Sequence, residues 1–161
     1  MKKINTKYIT QAALIAAVYA AVTIALAPIS YGNIQVRVAE ALTVLPAVFP
    51  SAIPGLFIGC ILANTLGPGA GVLDIIFGSL ATLLSAWLSY RLRKHTFLVP
   101  LPPVVINAVI IGAVLSYAYN LPLALTMLEV GGGQLVACYA LGLPLLFLVK
   151  KVSKSRGESL E

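Results

Sequence analysis

The sequence has 161 residues, of which 60% are hydrophobic and only 10% are charged, and its formal net charge is +6. A mean hydropathy of +0.98 is too apolar for a soluble domain of this size, whose water-exposed surface would need more polar residues. The composition therefore predicts an integral membrane protein. In a soluble protein the positive charge would suggest a nucleic-acid partner; here none is expected, because the placement of the basic residues indicates membrane topology instead.

Six apolar segments follow one another along the chain, and each is predicted to be a helix. A straight crossing needs about 20 apolar residues, and four of the segments fit that length. The second and third have about 14 residues each, or about 21 Å at the helical rise, which is less than the hydrocarbon core. We expect these two to lie partly in a protein-lined pocket, or the bilayer to thin around them. The segments cover residues 8–27, 36–49, 52–66, 72–91, 101–119 and 124–149.

The basic residues decide between five and six crossings. With six crossings and an inside N-terminus, the basic N-terminus, the Arg91–Lys94 loop and the basic tail all lie inside, and only Arg37 is left outside. Five crossings cannot achieve this. The sequence therefore predicts one all-α membrane domain over residues 1–161, a bundle of six transmembrane helices with both termini cytoplasmic. It has no internal repeat, which argues against the inverted-repeat architecture of many transporters.

Small residues recur every four positions on two of the predicted helices. Ala13, Ala17 and Ala21 do so on the first helix, and Gly55 and Gly59 belong to a similar face on the third. Inside lipid, small residues let helix backbones approach closely. We interpret the glycine face as internal packing. The alanine strip is a candidate surface for a second membrane subunit.

Four charged residues are predicted near the outer ends of their helices, where they would line an outward-facing polar chamber. They are Arg37, Glu40, Asp74 and Glu129. Charges in membrane proteins are costly and usually line cavities or pair with one another. Three alternatives stay open: interfacial charges that reach water, a local pair between Arg37 and Glu40 at a gate, and an Asp74 that caps the fourth helix.

Amide and tyrosine side chains complete the candidate site. Asn107 lies in mid-helix and needs an interhelical partner or a ligand, and Gln134 follows three glycines whose bare backbone lets a planar molecule approach. Tyr31 and Tyr117 either belong to an aromatic belt or stack on a ligand. Such a set suits a small, flat solute rich in hydrogen-bond donors. The predicted substrate-binding residues are Glu129, Gln134, Asn107, Asp74, Tyr31, Gln35 and Tyr117.

No catalytic residue, metal site or cofactor is predicted. The sequence has no GxxxxGK[ST] motif for ATP hydrolysis, His95 has no partner histidine or cysteine nearby, and Cys60 and Cys138 lack metal-ligand spacing. Two functions remain. One is a binding and uptake subunit without enzymatic activity. The other is a stand-alone proton-coupled permease for a small cationic or aromatic solute, with Glu129 or Asp74 titrating, although the lack of acids deep in the spans speaks against it.

Five stretches, in this order, resemble the QueT-type queuosine-precursor transporters, which are substrate-binding (S) subunits of bacterial energy-coupling factor (ECF) transporters. The resemblance covers nearly the whole chain. Its most specific parts are QVRVAEALTVLPAVFP (35–50), AIPGLFIGCILAN (52–64), LDIIFGSLATLLSA (73–86), PLPPVVINA (100–108) and GGGQLVACYALGLPL (131–145).

The resemblance implies a plasma-membrane subunit that captures a 7-deazaguanine from outside: 7-cyano-7-deazaguanine (preQ0), 7-aminomethyl-7-deazaguanine (preQ1) or queuine. It implies a transmembrane coupling subunit (EcfT) and two cytoplasmic ATPases of the EcfA type as partners. The alanine-spaced face that contacts the coupling subunit falls on Ala13, Ala17 and Ala21. An acid is common in that family where this chain has Gln134, which leaves two alternatives: Glu129 or Asp74 supplies the charge here, or the ligand preference differs.

Overall fold

The computed structural model describes residues 5–31, 36–68 and 71–155, and within these ranges the chain forms helices and no strands. The predicted all-helical fold is confirmed. A short 3-10 turn covers Thr96–Leu98. The helices are α1 (Thr6–Ala25), α2 (Ala27–Ser30), α3 (Val38–Ala47), α4 (Ala52–Leu66), α5 (Asp74–Gly78 and Ser79–Arg91), α6 (Leu101–Tyr119) and α7 (Leu123–Leu135, Val136–Gly142 and Leu143–Ser155).

Each of the six segments identified in the sequence overlaps one of these helices. By length and composition, three helical stretches among the described residues are suited to cross a membrane: Thr6–Ala25, Thr96–Tyr119 and Leu123–Ser155. Val38–Ala47 and Ala52–Leu66 are shorter apolar helices, so the second and third predicted helices are indeed short. Six crossings and cytoplasmic termini stay predictions.

The α3 segment is a 3-10 helix rather than the expected α-helix, and Pro46 lies inside it. Proline has no N–H to donate, and in an α-helix its ring would clash with the carbonyl of Leu42. The tighter 3-10 winding rises about 2 Å per residue, so ten residues extend about 20 Å. The charged residues at the start of α3 are therefore arranged by 3-10 geometry, with bonds such as Glu40 N–H to Arg37 O at 2.9 Å.

The helices α1 and α4 pack through small residues. A Cβ atom added to Gly55 would lie 2.7 Å from the carbonyl oxygen of Ala12, and one added to Gly59 would lie 2.9 Å from that of Ala16. Only glycine permits this approach. The interpretation of the glycine face as internal packing is confirmed. The opposite face of α1, which carries the alanine strip, is exposed.

A methyl group at this contact is expected to destabilise the protein. In Gly59→Ala the added Cβ would lie 2.9 Å from both the Ala16 carbonyl oxygen and the Tyr19 Cβ, so α1 and α4 must separate, at a cost of about 1–3 kcal/mol. Gly132→Ala is the matched control, because nothing lies within 4 Å of its added Cβ and alanine favours a helix. Thermal unfolding in detergent should show a lower midpoint for Gly59→Ala only. Equal midpoints would contradict the packing described.

Candidate functional site

Arg37 and Glu40 point into the bundle from the start of α3. Their side chains are only 3% and 1% exposed. Buried charges are costly unless other polar groups surround them, and both lie in a polar cluster. We call it the Glu40 cluster. Its members come from α1, the start of α3, α4, α5 and α6, and they are Tyr19, Arg37, Glu40, Cys60, Asn64, Thr82 and Asn107.

The Glu40 carboxylate is held mainly through one of its two oxygens. The Tyr19 hydroxyl donates to Oε1 at 2.5 Å, and the Thr82 hydroxyl lies 3.5 Å from the same atom. Asn107 faces the carboxylate, but its Nδ2 lacks hydrogen-bond geometry to any described atom. Oε2 likewise has no hydrogen-bond partner in the described ranges. One acceptor of the carboxylate is therefore free.

The Arg37 guanidinium is held by three weak contacts. Its Nε donates to the Ser30 carbonyl at 3.4 Å, its Nη1 lies 3.9 Å from Cys60 Sγ, and its Cζ lies 5.4 Å from the centre of the Tyr31 ring. Nη2 has no partner among the residues described. The hydrogen bonds of both side chains are made to other groups, while the two buried charges attract each other electrostatically. The gate pair of Arg37 and Glu40 stays a prediction.

Side chains of α4 and α5 are joined by hydrogen bonds within the cluster. Cys60 Sγ accepts from Asn64 Nδ2 and from the Thr82 hydroxyl, both at 3.4 Å. Asn64 Nδ2 also donates to the carbonyl of Asp74 at 2.8 Å, where α5 begins with a π-helical turn. This leaves Asn64 Oδ1 as a second buried acceptor without a partner in the described part of the chain.

The wide π-helical turn of α7 connects Gln134 to the cluster. Cys138 Sγ lies 3.6 Å from the Glu40 carbonyl oxygen and 3.7 Å from Gln134 Oε1. The Thr43 hydroxyl donates to the same carbonyl at 2.6 Å. Gln134 is buried. Of the predicted substrate-binding residues, Asn107 therefore lies in the Glu40 cluster and Gln134 lies beside it.

Several buried polar atoms of the cluster have no hydrogen-bond partner among the described residues. Buried polar groups in proteins are almost always hydrogen-bonded, and each one left unpaired costs free energy. Here both donors and acceptors remain unmatched among the described buried side chains, which makes the cluster the candidate binding site. In the cluster the unmatched atoms are Arg37 Nη2, Glu40 Oε2, Asn64 Oδ1 and Asn107 Nδ2, and outside it they include Asp74 Oδ1 and the hydroxyls of Ser30 and Ser79.

Two further predicted residues support the cluster from its edge. The Tyr31 hydroxyl donates to the carbonyl of Ala63 at 2.6 Å, which fixes the ring beside the Arg37 guanidinium. Asp74 Oδ2 accepts from the Gly71 N–H at 3.1 Å, as in the alternative that placed Asp74 at the start of the fourth helix. Its main chain, rather than its carboxylate, contacts Asn64.

The remaining predicted residues lie elsewhere. Glu129 is half-buried on α7, and no hydrogen bond or ion pair joins its side chain to another described residue. Tyr117 is 81% exposed and lines an apolar groove of about 590 Å³ with Leu73 and Phe77, which suits the aromatic-belt alternative. Gln35 lies outside the described residues.

A family model described as "QueT transporter" matches residues 9–151. The chain belongs to the QueT transporter family. The resemblance seen in the sequence is thereby confirmed, and the QueT chain is a membrane transport protein. No curated protein and no solved structure matches it.

Sequence reasoning missed four members of the QueT chain's cluster. Tyr19 interrupts an alanine-rich helix, and Cys60, Asn64 and Thr82 lie among apolar residues of α4 and α5. A polar side chain inside an apolar segment is the only signal that each of them gives. This signal predicts Asn107 as a site residue, and Asn64 and Tyr19 give the same signal.

Removing the Tyr19 hydroxyl is expected to destabilise this QueT protein. In Tyr19→Phe, Glu40 Oε1 keeps only the 3.5 Å contact to Thr82, and loss of a hydrogen bond to a buried charge costs about 1.5–3 kcal/mol. Tyr139→Phe is the control, because its hydroxyl makes a 3.1 Å bond to Phe97 O at the exposed surface. Thermal unfolding should separate the two variants. An unchanged midpoint for Tyr19→Phe would show that the bond adds no stability.

Proposed function

We propose that this QueT-family protein is the substrate-binding subunit of an ATP-driven ECF importer and captures a queuosine precursor from outside the cell. The observation that carries the proposal is the Glu40 cluster, whose buried donors and acceptors are unmatched in a chain of this transporter family. Such a site gains affinity when a ligand supplies the missing hydrogen bonds. The proposed ligands are preQ0, preQ1 and queuine.

The ligand class fits the chemistry of the cluster. A 7-deazaguanine is flat and carries both hydrogen-bond donors and a carbonyl acceptor on one edge. Carboxylate and amide oxygens accept from such an edge, and amide and guanidinium N–H groups donate to it. We place Asn107, Gln134 and Tyr31 in the binding site together with Glu40 and Arg37. Glu129 is proposed as a further contact, because its half-buried carboxylate has no polar partner in the described ranges.

Energy coupling is assigned to partner proteins. The sequence has no ATP-binding motif, so the proposal needs the coupling subunit EcfT and two ATPases of the EcfA type. The alanine strip of α1 supports this: Ala13, Ala17 and Ala21 are exposed, whereas the other face of α1 packs against α4. Exposed small residues at this spacing let a second helix approach closely.

The proposed membrane arrangement is a six-pass subunit of the bacterial plasma membrane with both termini in the cytoplasm. The basic residues between α5 and α6 and at the end of α7 then lie on the inner side. The short helix α3 is largely buried in the bundle, where protein rather than lipid surrounds Arg37 and Glu40. Glu40 itself is almost fully buried.

Reconstitution separates this proposal from the stand-alone permease. Purified protein in liposomes should bind preQ0, preQ1 or queuine in calorimetry and should take up none of them alone. Adding the coupling subunit, the two ATPases and ATP should give uptake. The permease alternative expects uptake by this chain alone under a proton gradient, and that result would overturn the proposed coupling.

A further inference from the structure

We infer that Glu40 and its neighbours read the 2-amino-6-oxo edge of the ligand, the edge shared by all the proposed precursors, and leave the 7-substituent to other contacts. This inference rests on the proposed function for the class of ligand. It adds the atoms that recognise the ligand and the specificity that follows from them.

The main acceptor of the site is Oε2, the oxygen of the Glu40 carboxylate without a hydrogen-bond partner among the described residues. Tyr19 occupies Oε1 at 2.5 Å and orients the group, whereas Oε2 is buried and unmatched within the described chain. A carboxylate oxygen accepts strongly from ring N–H and amine groups. Asn64 Oδ1 is a second free acceptor on α4. Both acceptors belong to side chains that are 1% exposed.

The donor side of the site consists of Arg37 Nη2 and Asn107 Nδ2. Both atoms are buried and lack hydrogen-bond partners in the described residues, and their side chains are 3% and 2% exposed. Asn107 faces the Glu40 carboxylate, so a donor lies next to the free acceptor. The contacts of Arg37 with Tyr31 and Cys60 involve Cζ and Nη1, and Nη2 has no partner among the described residues.

A guanine-type edge complements this arrangement. It places a carbonyl oxygen beside a ring N–H and an exocyclic amine. The N–H and the amine both donate to Glu40 Oε2, and the carbonyl accepts from Asn107 Nδ2 or Arg37 Nη2. An adenine-type edge instead presents an unprotonated ring nitrogen to the carboxylate, which leaves two acceptors facing each other. A site built to pair with specific polar groups rejects analogues that lack them, because its own buried groups are then left unmatched.

Gly78 packs closely against the cluster. A Cβ added there would lie 2.9 Å from Asn64 Nδ2 and 3.9 Å from Arg37 Nη1. The bare backbone of α5 thus lies directly against two of the recognising side chains, where the π-helical turn ends.

The test combines one change in the ligand with one change in the protein. 7-Deazaguanine and 7-deazahypoxanthine differ only in the 2-amino group. Calorimetry on the wild-type protein should show about 100-fold tighter binding of 7-deazaguanine, as expected for a hydrogen bond to a charged group. In Glu40→Gln this preference should fall to a few-fold. The control is Arg91→Gln, which removes the charge of the exposed Arg91 beside Trp87 and should leave both affinities unchanged.

Each outcome decides a separate question. Equal affinity of the wild-type protein for the two ligands, or an unchanged preference in Glu40→Gln, would overturn this inference, since a purely structural Glu40 would weaken both ligands alike. If Glu40→Gln does not fold, the affinities of the wild-type protein for 7-deazaguanine and 7-deazahypoxanthine still test the inference. Failure of the wild-type protein to bind preQ0, preQ1, queuine and 7-deazaguanine would instead overturn the proposed function.

Discussion

Uptake is expected to be abolished, and ligand binding preserved, when Ala13→Leu and Ala17→Leu are combined. Both alanines are exposed on α1, on the face proposed to contact the coupling subunit, and leucine side chains would prevent close approach of a second helix. The contribution of α1 to the Glu40 cluster is Tyr19, whose side chain is fully buried. The substitution therefore changes the outer surface of α1 and leaves the site intact.

Two measurements on the same variant test this separation. Calorimetry reports binding by the isolated subunit, and uptake by proteoliposomes containing the whole complex reports transport. Ala118→Leu is the matched control: it places leucine at an exposed alanine of α6, away from the strip, and should keep both activities. A double variant that is still pulled down with the ATPase-bound coupling subunit would show that the interface lies elsewhere.

Much of the fold follows from simple properties of the sequence. Apolar segments bounded by proline, glycine and basic residues predict the helices, and small residues every four positions on the third predicted helix predict that α4 packs internally. Its partner, α1, is known only from the structure. The 3-10 form of α3 was missed because sequence periodicity hardly distinguishes it from a short α-helix. Pro46 was the available signal, since proline disfavours an α-helical interior.

The site was harder to predict because burial is a tertiary property. Arg37 and Glu40 were assigned to the outer end of a helix, where a charge can reach water, and nothing in their local sequence shows that they point inward. Asn107 and Gln134 were selected because each is polar within an apolar helix, and both lie at the cluster. Tyr19 and Asn64 satisfied the same criterion, but tyrosine in a membrane helix also suits the interface, which hides its role.

Removing the Arg37 charge is expected to cost more stability than any other single change considered. In Arg37→Met the Glu40 carboxylate remains buried without a nearby positive charge, and breaking a buried charge arrangement in this way costs about 3–5 kcal/mol. The free energy of unfolding, measured by denaturant titration in mixed micelles, reports this cost. The exposed Arg91 is the control: its guanidinium lies 5.0 Å from the centre of the Trp87 ring, and Arg91→Met should cost no more than about 1 kcal/mol.

The double variant shows whether the two buried charges stabilise each other through the cluster although they make no direct pair. Glu40→Gln removes the charge that Arg37→Met leaves uncompensated, so the combined loss should be smaller than the sum of the two single losses by about 1 kcal/mol or more. Strictly additive losses would mean that each side chain is held by its own contacts, Tyr19 for Glu40 and Tyr31 for Arg37. Coupled losses would mean that Arg37 compensates the buried charge of Glu40.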